Sequence, residues 1–159
     1  MLDPFLGWLE MTALSQWVVG SPSLLAFPGI LSVHAVGMAL AVGVSFAFDL
    51  RVLGVTSRLP LAEMRRYLPV FWTGFWLNAV SGVLLLVGYP TKALTNPVFY
   101  LKLGLIAVAM LLMVKLARAD NVPQTLQRRM AILSLLCWTA AIFAGRLLAY
   151  TYNRMTVSE

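Results

Sequence analysis

Long apolar runs alternate with short polar segments along the whole chain. Four of the runs come close to the ~20 residues that an α-helix needs to cross ~30 Å of hydrocarbon. They cover about 24–48, 68–88, 98–114 and 131–150. This pattern predicts an all-α fold, an integral membrane four-helix bundle that forms a single transmembrane domain over residues 1–159.

The segment that precedes the first run has a different character. Residues 1–20 contain no Lys or Arg, so the positively charged start of a secretory signal peptide is missing. Apolar residues recur there at helical spacing, and Trp8 and Trp17 are side chains of the kind that anchor a helix at a membrane surface. Pro22 then interrupts the pattern. We therefore expect one short N-terminal interfacial helix.

Composition and charge agree with a membrane protein. Hydrophobic residues make up 60% of the chain and charged residues 11%, whereas a soluble domain carries about 25% charged residues. The net charge of +6 is concentrated in loops between apolar runs, so it does not indicate nucleic-acid binding. The lipid bilayer is the expected environment, with other membrane subunits or further copies of the chain as partners.

The basic residues predict the orientation of the bundle. The first and third loops carry eight of them, against two in the N-terminal segment, the second loop and the C-terminal tail together. The positive-inside rule places the first and third loops in the cytoplasm. Both termini are then predicted on the periplasmic side of a bacterial inner membrane. The eight are Arg51, Arg58, Arg65, Arg66, Lys115, Arg118, Arg128 and Arg129, and the two are Lys92 and Arg154.

Polar side chains within the spans point to function because they are costly there. His34 and Asn78 lie about 15 Å from the predicted outer boundary, near the middle of the membrane. Lys102 and Arg146 lie in the layer above them. A dicarboxylate ligand with an apolar body that holds a metal would match this layering, and haem b is such a ligand. We predict that His34 ligates the iron and that Asn78 belongs to the same cofactor-binding site. Lys102 and Arg146 are predicted to pair with the propionates.

Each of these residues also has a purely structural interpretation. His34 could hydrogen-bond across a helix interface, and Asn78 could bond a neighbouring helix. Lys102 and Arg146 are close enough to the membrane surface to snorkel. The alternatives therefore stay open at this point.

A second axial ligand cannot be another His of the same chain, because the sequence contains one His. Met38 lies one turn from His34 on the same helix and cannot reach the opposite face of a haem. Met110 and Met113 of the third span have a suitable depth, although filling apolar gaps is the commoner use of Met. The predicted haem is thus five-coordinate, is His/Met-ligated, or takes a ligand from another subunit.

Small residues recur at intervals of four in the spans, which favours close helix packing in a bundle or an oligomer. On the first span, His34, Met38, Ala41, Ser45 and Asp49 share one face, which we expect to point inward. The sole cysteine, Cys137, is expected to be a small packing residue. Asp49 and Arg51 are expected to form a local ion pair at the cytoplasmic end. The small-residue stripes are Gly37 and Ala41; Gly74, Asn78 and Gly82; and Cys137, Ala141 and Gly145.

Three segments resemble parts of small four-helix bacterial membrane proteins of unknown function. They are HAVGMALAVGVSFAFDLRVLG (34–54), NPVFYLKLGLIA (96–107) and AGRLLAY (144–150). A more distant similarity, carried by His34, Arg51 and Lys102, is to the HemJ-type membrane protoporphyrinogen oxidases, and another is to CopD-like copper-resistance membrane domains. The HemJ likeness implies tetrapyrrole binding.

The sequence carries no Walker loop, no dinucleotide fingerprint and no HExxH or CxxC motif, and whether the protein is an enzyme stays open. Our preferred interpretation is a haem b-binding inner-membrane subunit that passes electrons to or from a quinone or an outer-side redox partner. A competing interpretation is a non-catalytic accessory subunit of a larger membrane complex. The third is porphyrinogen oxidation of the HemJ type.

Overall fold

In a computed structural model, which describes residues 2–55, 60–119 and 122–155, every regular element is a helix. Four of the helices are long and apolar enough to cross a membrane. They are α3 (Phe27–Leu53), α5 (Leu68–Gly88), α7 (Pro97–Ala117) and α8 (Gln124–Met155). The predicted membrane four-helix bundle is confirmed, and the chain is a multi-pass membrane protein.

The ends of the spans differ from the predicted ones because they are set by local backbone chemistry and not by hydropathy. Helix α3 continues beyond residue 48 to Leu53 and ends at Gly54, whose φ of 91° is the left-handed conformation of a helix C-cap. Helix α7 begins directly after Asn96, whose side chain accepts a hydrogen bond from the Val98 amide at 2.9 Å. Helix α8 begins seven residues before the predicted 131, so its first turns are polar.

Short helices complete the chain: α1 (Leu2–Glu10), α2 (Ala13–Gly20), α4 (Leu61–Met64), a 3₁₀ turn (Arg65–Tyr67) and α6 (Pro90–Leu94). The N-terminal segment, for which the sequence predicted one helix, therefore forms two helices, α1 and α2. Thr12 separates them, since its hydroxyl caps α2 by accepting from the Ser15 amide at 3.3 Å. Trp8 and Trp17 are exposed, as an interfacial position requires.

Helices α1, α2 and α6 lie together at one end of the bundle, which we call the capped end. Thr91 of α6 donates a hydrogen bond to the Glu10 carboxylate of α1 at 2.7 Å. Val18 of α2 is fully buried and packs directly on Gly88, the last residue of α5. The opposite end, which we call the basic end, carries the first and third loops. The side chains of Arg58 and Arg154 lie outside the described residues.

The bundle consists of two tightly packed helix pairs, α3 with α5 and α7 with α8, joined mainly where α3 meets α8. Helix α5 makes no comparable contact with α7 or α8 within the described ranges. The core contains Phe48 and Phe71 from the first pair, and Met113 and Trp138 from the second. The side between α5 and α7 is consequently the loosest side of the bundle.

Glycines set the distance between α3 and α5. A Cβ at Gly37 would lie 2.6 Å from the Asn78 amide nitrogen, and a Cβ at Gly74 would lie 2.7 Å from the Ala41 amide nitrogen. The backbones of the two helices thus touch, as small-residue stripes allow. This confirms the predicted close packing for these two stripes.

Candidate functional site

His34 is fixed on the α3–α5 interface by a reciprocal pair of contacts with Asn78. The Asn78 side-chain amide donates to the backbone carbonyl of His34 at 2.8 Å. In the other direction, His34 Nδ1 lies 3.0 Å from the backbone carbonyl oxygen of Asn78. The bond of Asn78 to a neighbouring helix is therefore present, and it holds the two residues at one depth.

These contacts define which nitrogen of the imidazole carries the proton. A backbone carbonyl can only accept, so Nδ1 must donate to Asn78. The Ser81 hydroxyl, 3.1 Å from Nδ1, uses its own hydrogen on the backbone carbonyl of Leu77. In the neutral ring the remaining nitrogen, Nε2, carries a free lone pair. Nδ1–H bound to a backbone carbonyl is also the usual arrangement of a histidine whose Nε2 ligates a metal.

His34, Asn78 and Lys102 line one cavity of about 40 Å³ at the centre of the bundle. Lys102 lines the cavity from α7, whereas His34 lies on α3 and Asn78 on α5. Within the described residues no acceptor hydrogen-bonds to its ammonium group. The rest of the lining is apolar apart from Trp138, and includes Met38, Phe75 and Ile106 among others. The cavity is therefore lined by one lysine side chain and one imidazole in mainly apolar surroundings.

Two glycines make room for these side chains. A Cβ at Gly82 would lie 3.2 Å from His34 Cε1, and a Cβ at Gly145 would lie 3.6 Å from Lys102 Nζ. The stripes that the sequence suggested for helix packing thus have a second effect, because their last members face the site. Any larger residue at Gly82 would press on the imidazole.

The remaining predicted site residues lie elsewhere. Arg146 is exposed on α8 and does not line the cavity. Met113 is fully buried in the core and Met110 is half-buried beside it. Neither Met lines the cavity, whereas Met38 does. The structure hence brings together three of the four predicted ligand-binding residues.

Two residues of the site were not predicted. Ser81 contributes the second contact to Nδ1, and Trp138 lines the cavity. Ser81 lies three residues from Asn78, so the same face of α5 could have suggested it. Trp138 had no signal of its own, because its inward direction depends on how α8 is rotated against α3.

The site matches haem b in its polar groups but not in its volume. The Nε2 lone pair and the Lys102 ammonium suit an iron and a carboxylate. The enclosed space does not suit the porphyrin, because about 40 Å³ holds no more than a few water molecules, whereas ligand pockets span about 300–1,000 Å³. A haem would require α5 and α7 to separate. Within the described residues no cluster of three or more His, Cys, Asp or Glu side chains offers an alternative metal site.

A larger apolar groove of about 680 Å³ lies on the outside of the α3–α5 pair. Trp72 and Trp76 flank it and Ser81 lies at its floor. Ser81, which lines this groove, contacts His34, which lines the central cavity. The groove has the volume of a ligand site, but it contains no ionisable side chain.

Fold and site together define a four-helix membrane protein with a small polar cavity between its helix pairs. Comparison with protein-family models, with curated proteins and with solved structures gives no match. The family resemblances suggested by the sequence therefore stay predictions.

Proposed function

We propose that this protein is a membrane subunit that binds a quinone or quinol, with the polar edge of the ligand in the His34–Lys102 cavity. The observation that carries the proposal is that a hydrogen-bond donor, Lys102, and a possible acceptor, His34, line the same cavity. Lys102 can donate to a quinone carbonyl, while Nε2 of His34 can accept from a quinol hydroxyl.

The size and position of the cavity support this choice. Its volume is about 40 Å³, which is enough for a carbonyl or hydroxyl group. The ring and its apolar tail would extend through the loose side between α5 and α7, where half-buried Phe75 of α5 and Ile106 of α7 line the cavity. A lipid-soluble ligand arrives from that direction without crossing water.

Haem b is the second candidate, favoured by the Nδ1–H bond to the Asn78 carbonyl, which leaves Nε2 oriented for a metal. In this alternative His34 binds the iron, and Lys102 and Arg146 hold the propionates. An electron-transfer role with an outer-side partner would follow. It requires a wider separation of the helix pairs than the quinone does.

The proposal is tested by titrating the purified protein in lipid nanodiscs with a short-chain benzoquinone and with its quinol. Lys102→Met removes a hydrogen bond from a charged donor, worth about 1.5–3 kcal/mol, so quinone affinity should fall by about 10–100-fold. His34→Ala should weaken the quinol more than the quinone, because only the quinol donates to Nε2.

Arg146→Gln is the matched control. Arg146 is exposed and outside the cavity, so quinone binding should be unchanged. The visible spectrum of the same samples tests the second candidate: a Soret band lost in His34→Ala and weakened in Arg146→Gln supports haem. A colourless protein that binds neither quinone nor quinol and purifies only with other subunits would refute both and favour the accessory role.

A further inference from the structure

Asp49, four residues before the end of α3, is a fully buried ionisable group. Its side chain is 0% exposed. Neither carboxylate oxygen has a hydrogen-bond partner within the described residues. No hydrogen bond therefore joins the Asp49 carboxylate to Arg51, since residues two apart on a helix point in different directions.

Polar neighbours of Asp49 come from α3 and α8. The Ser134 hydroxyl lies beside its carboxyl group, and Ser134 is itself fully buried. Ser45 Oγ lies 3.5 Å from Ser134 Oγ and accepts a hydrogen bond from Trp138 Nε1 at 2.9 Å. A line of polar groups thus runs from the central cavity, which Trp138 lines, to Asp49 near the basic end.

The basic end contains many charges on its described helices and loops. The Asp49 carboxylate oxygens have no hydrogen bond to any of them, although the end is rich in cations. The charged residues that the structure describes at this end are Arg51, Glu63, Arg65, Arg66, Lys115, Arg118, Arg128 and Arg129.

A buried carboxylate without a partner is one of the costliest groups in a protein interior, and it is neutralised in practice by binding a cation. We propose that Asp49 is a proton-binding site of the bundle: a carboxylic acid that holds an exchangeable proton at neutral pH, with the Ser134 hydroxyl beside it. A proton needs no further ligands, whereas a metal cation needs several oxygens. Two serine hydroxyls and one carboxyl are too few.

The proton on Asp49 has a short path to the medium. Four residues separate Asp49 from the end of α3, about 6 Å along the helix axis. The proton is thus expected to equilibrate with the basic end of the bundle. This site does not depend on the quinone proposal, since it lies 15 residues from His34 on α3, about 22 Å away.

Infrared spectroscopy of the purified protein in detergent tests the proposal. The chain has six acidic residues, so the carbonyl stretch of one protonated acid is resolvable. We expect this band at pH 7, a shift of it in D₂O, and its loss in Asp49→Asn. Glu63→Gln is the control, because Glu63 is exposed on α4 and its substitution should leave the band in place.

Asn is nearly isosteric with a protonated Asp, so the melting temperature of Asp49→Asn should stay close to that of the parent. If this variant does not fold, ¹³C-aspartate labelling in an Asp3→Asn, Asp120→Asn background leaves Asp49 as the one labelled carboxyl side chain, and the label should shift the band. A band that is absent at pH 7, or that neither the substitution nor the label moves, would overturn the proposal. So would a melting temperature that rises with Na⁺ in the parent but not in Asp49→Asn, which indicates a metal cation.

Discussion

The close contact between Gly37 and α5 predicts that a larger residue at this position lowers the free energy of unfolding. In Gly37→Ala the new Cβ would lie 2.6 Å from the Asn78 amide nitrogen and 2.8 Å from the Gly74 carbonyl oxygen. Both are backbone atoms, so no side chain can rotate away and the helices must move apart. Overpacking of this kind costs about 1–3 kcal/mol. The same substitution gains about 0.5–1 kcal/mol in helix propensity.

Gly43→Ala provides the matched control. Gly43 lies on the same helix, and a Cβ there meets nothing within 4 Å. It receives the propensity gain without the clash, so the difference between the two variants isolates the contact and should be about 1–3 kcal/mol. Reversible unfolding in mixed micelles measures both free energies. Two variants that agree within about 0.5 kcal/mol would refute the close α3–α5 packing, since that is the scatter of surface substitutions.

Two further predictions concern the core and the orientation. Ser45→Ala leaves the buried Trp138 N–H without its acceptor and should lower the free energy of unfolding by about 1–3 kcal/mol. In a Trp138→Phe background the loss should nearly disappear, and an equal loss in both backgrounds would argue against the hydrogen bond. For orientation, single cysteines at the exposed Met11 and Gln124, in a Cys137→Ala background, should react with an impermeant thiol reagent from the periplasmic and cytoplasmic sides respectively. The reverse labelling pattern would contradict the orientation predicted by the basic loops.

Sequence reasoning recovered the number and approximate position of the spans because hydropathy over about 20 residues is a strong signal. It misplaced their ends, since a charged residue was taken as a boundary. Asp49 is inside α3 and buried, and the helix continues to Gly54, where a left-handed φ ends it. The division of the N-terminal helix was also missed, although Thr12 followed by helix-forming residues is a capping signal.

The depth of the site residues in the membrane could be predicted from the sequence, but the direction in which each side chain points around its helix axis could not. Distance along the helices put His34 and Asn78 at one depth and Lys102 in the layer above them, and the structure brings all three to the lining of one cavity. Arg146 has a similar depth, but it faces outward because of the rotation of α8. Helix rotation arises from packing at contacts such as Gly37 with Gly74, and no periodicity in a single uniformly apolar span reveals it.

The most direct test of the quinone site uses Trp138 as a reporter, since it is the tryptophan that lines the central cavity, whereas Trp72 and Trp76 line the outer groove. In a variant whose other four tryptophans are replaced by Phe, a short-chain benzoquinone should quench the Trp138 fluorescence saturably. Lys102→Met in that variant should shift the saturation to about 10–100-fold higher concentration. Quenching that increases linearly without saturation, or that is unchanged by Lys102→Met, would contradict binding in the His34–Lys102 cavity.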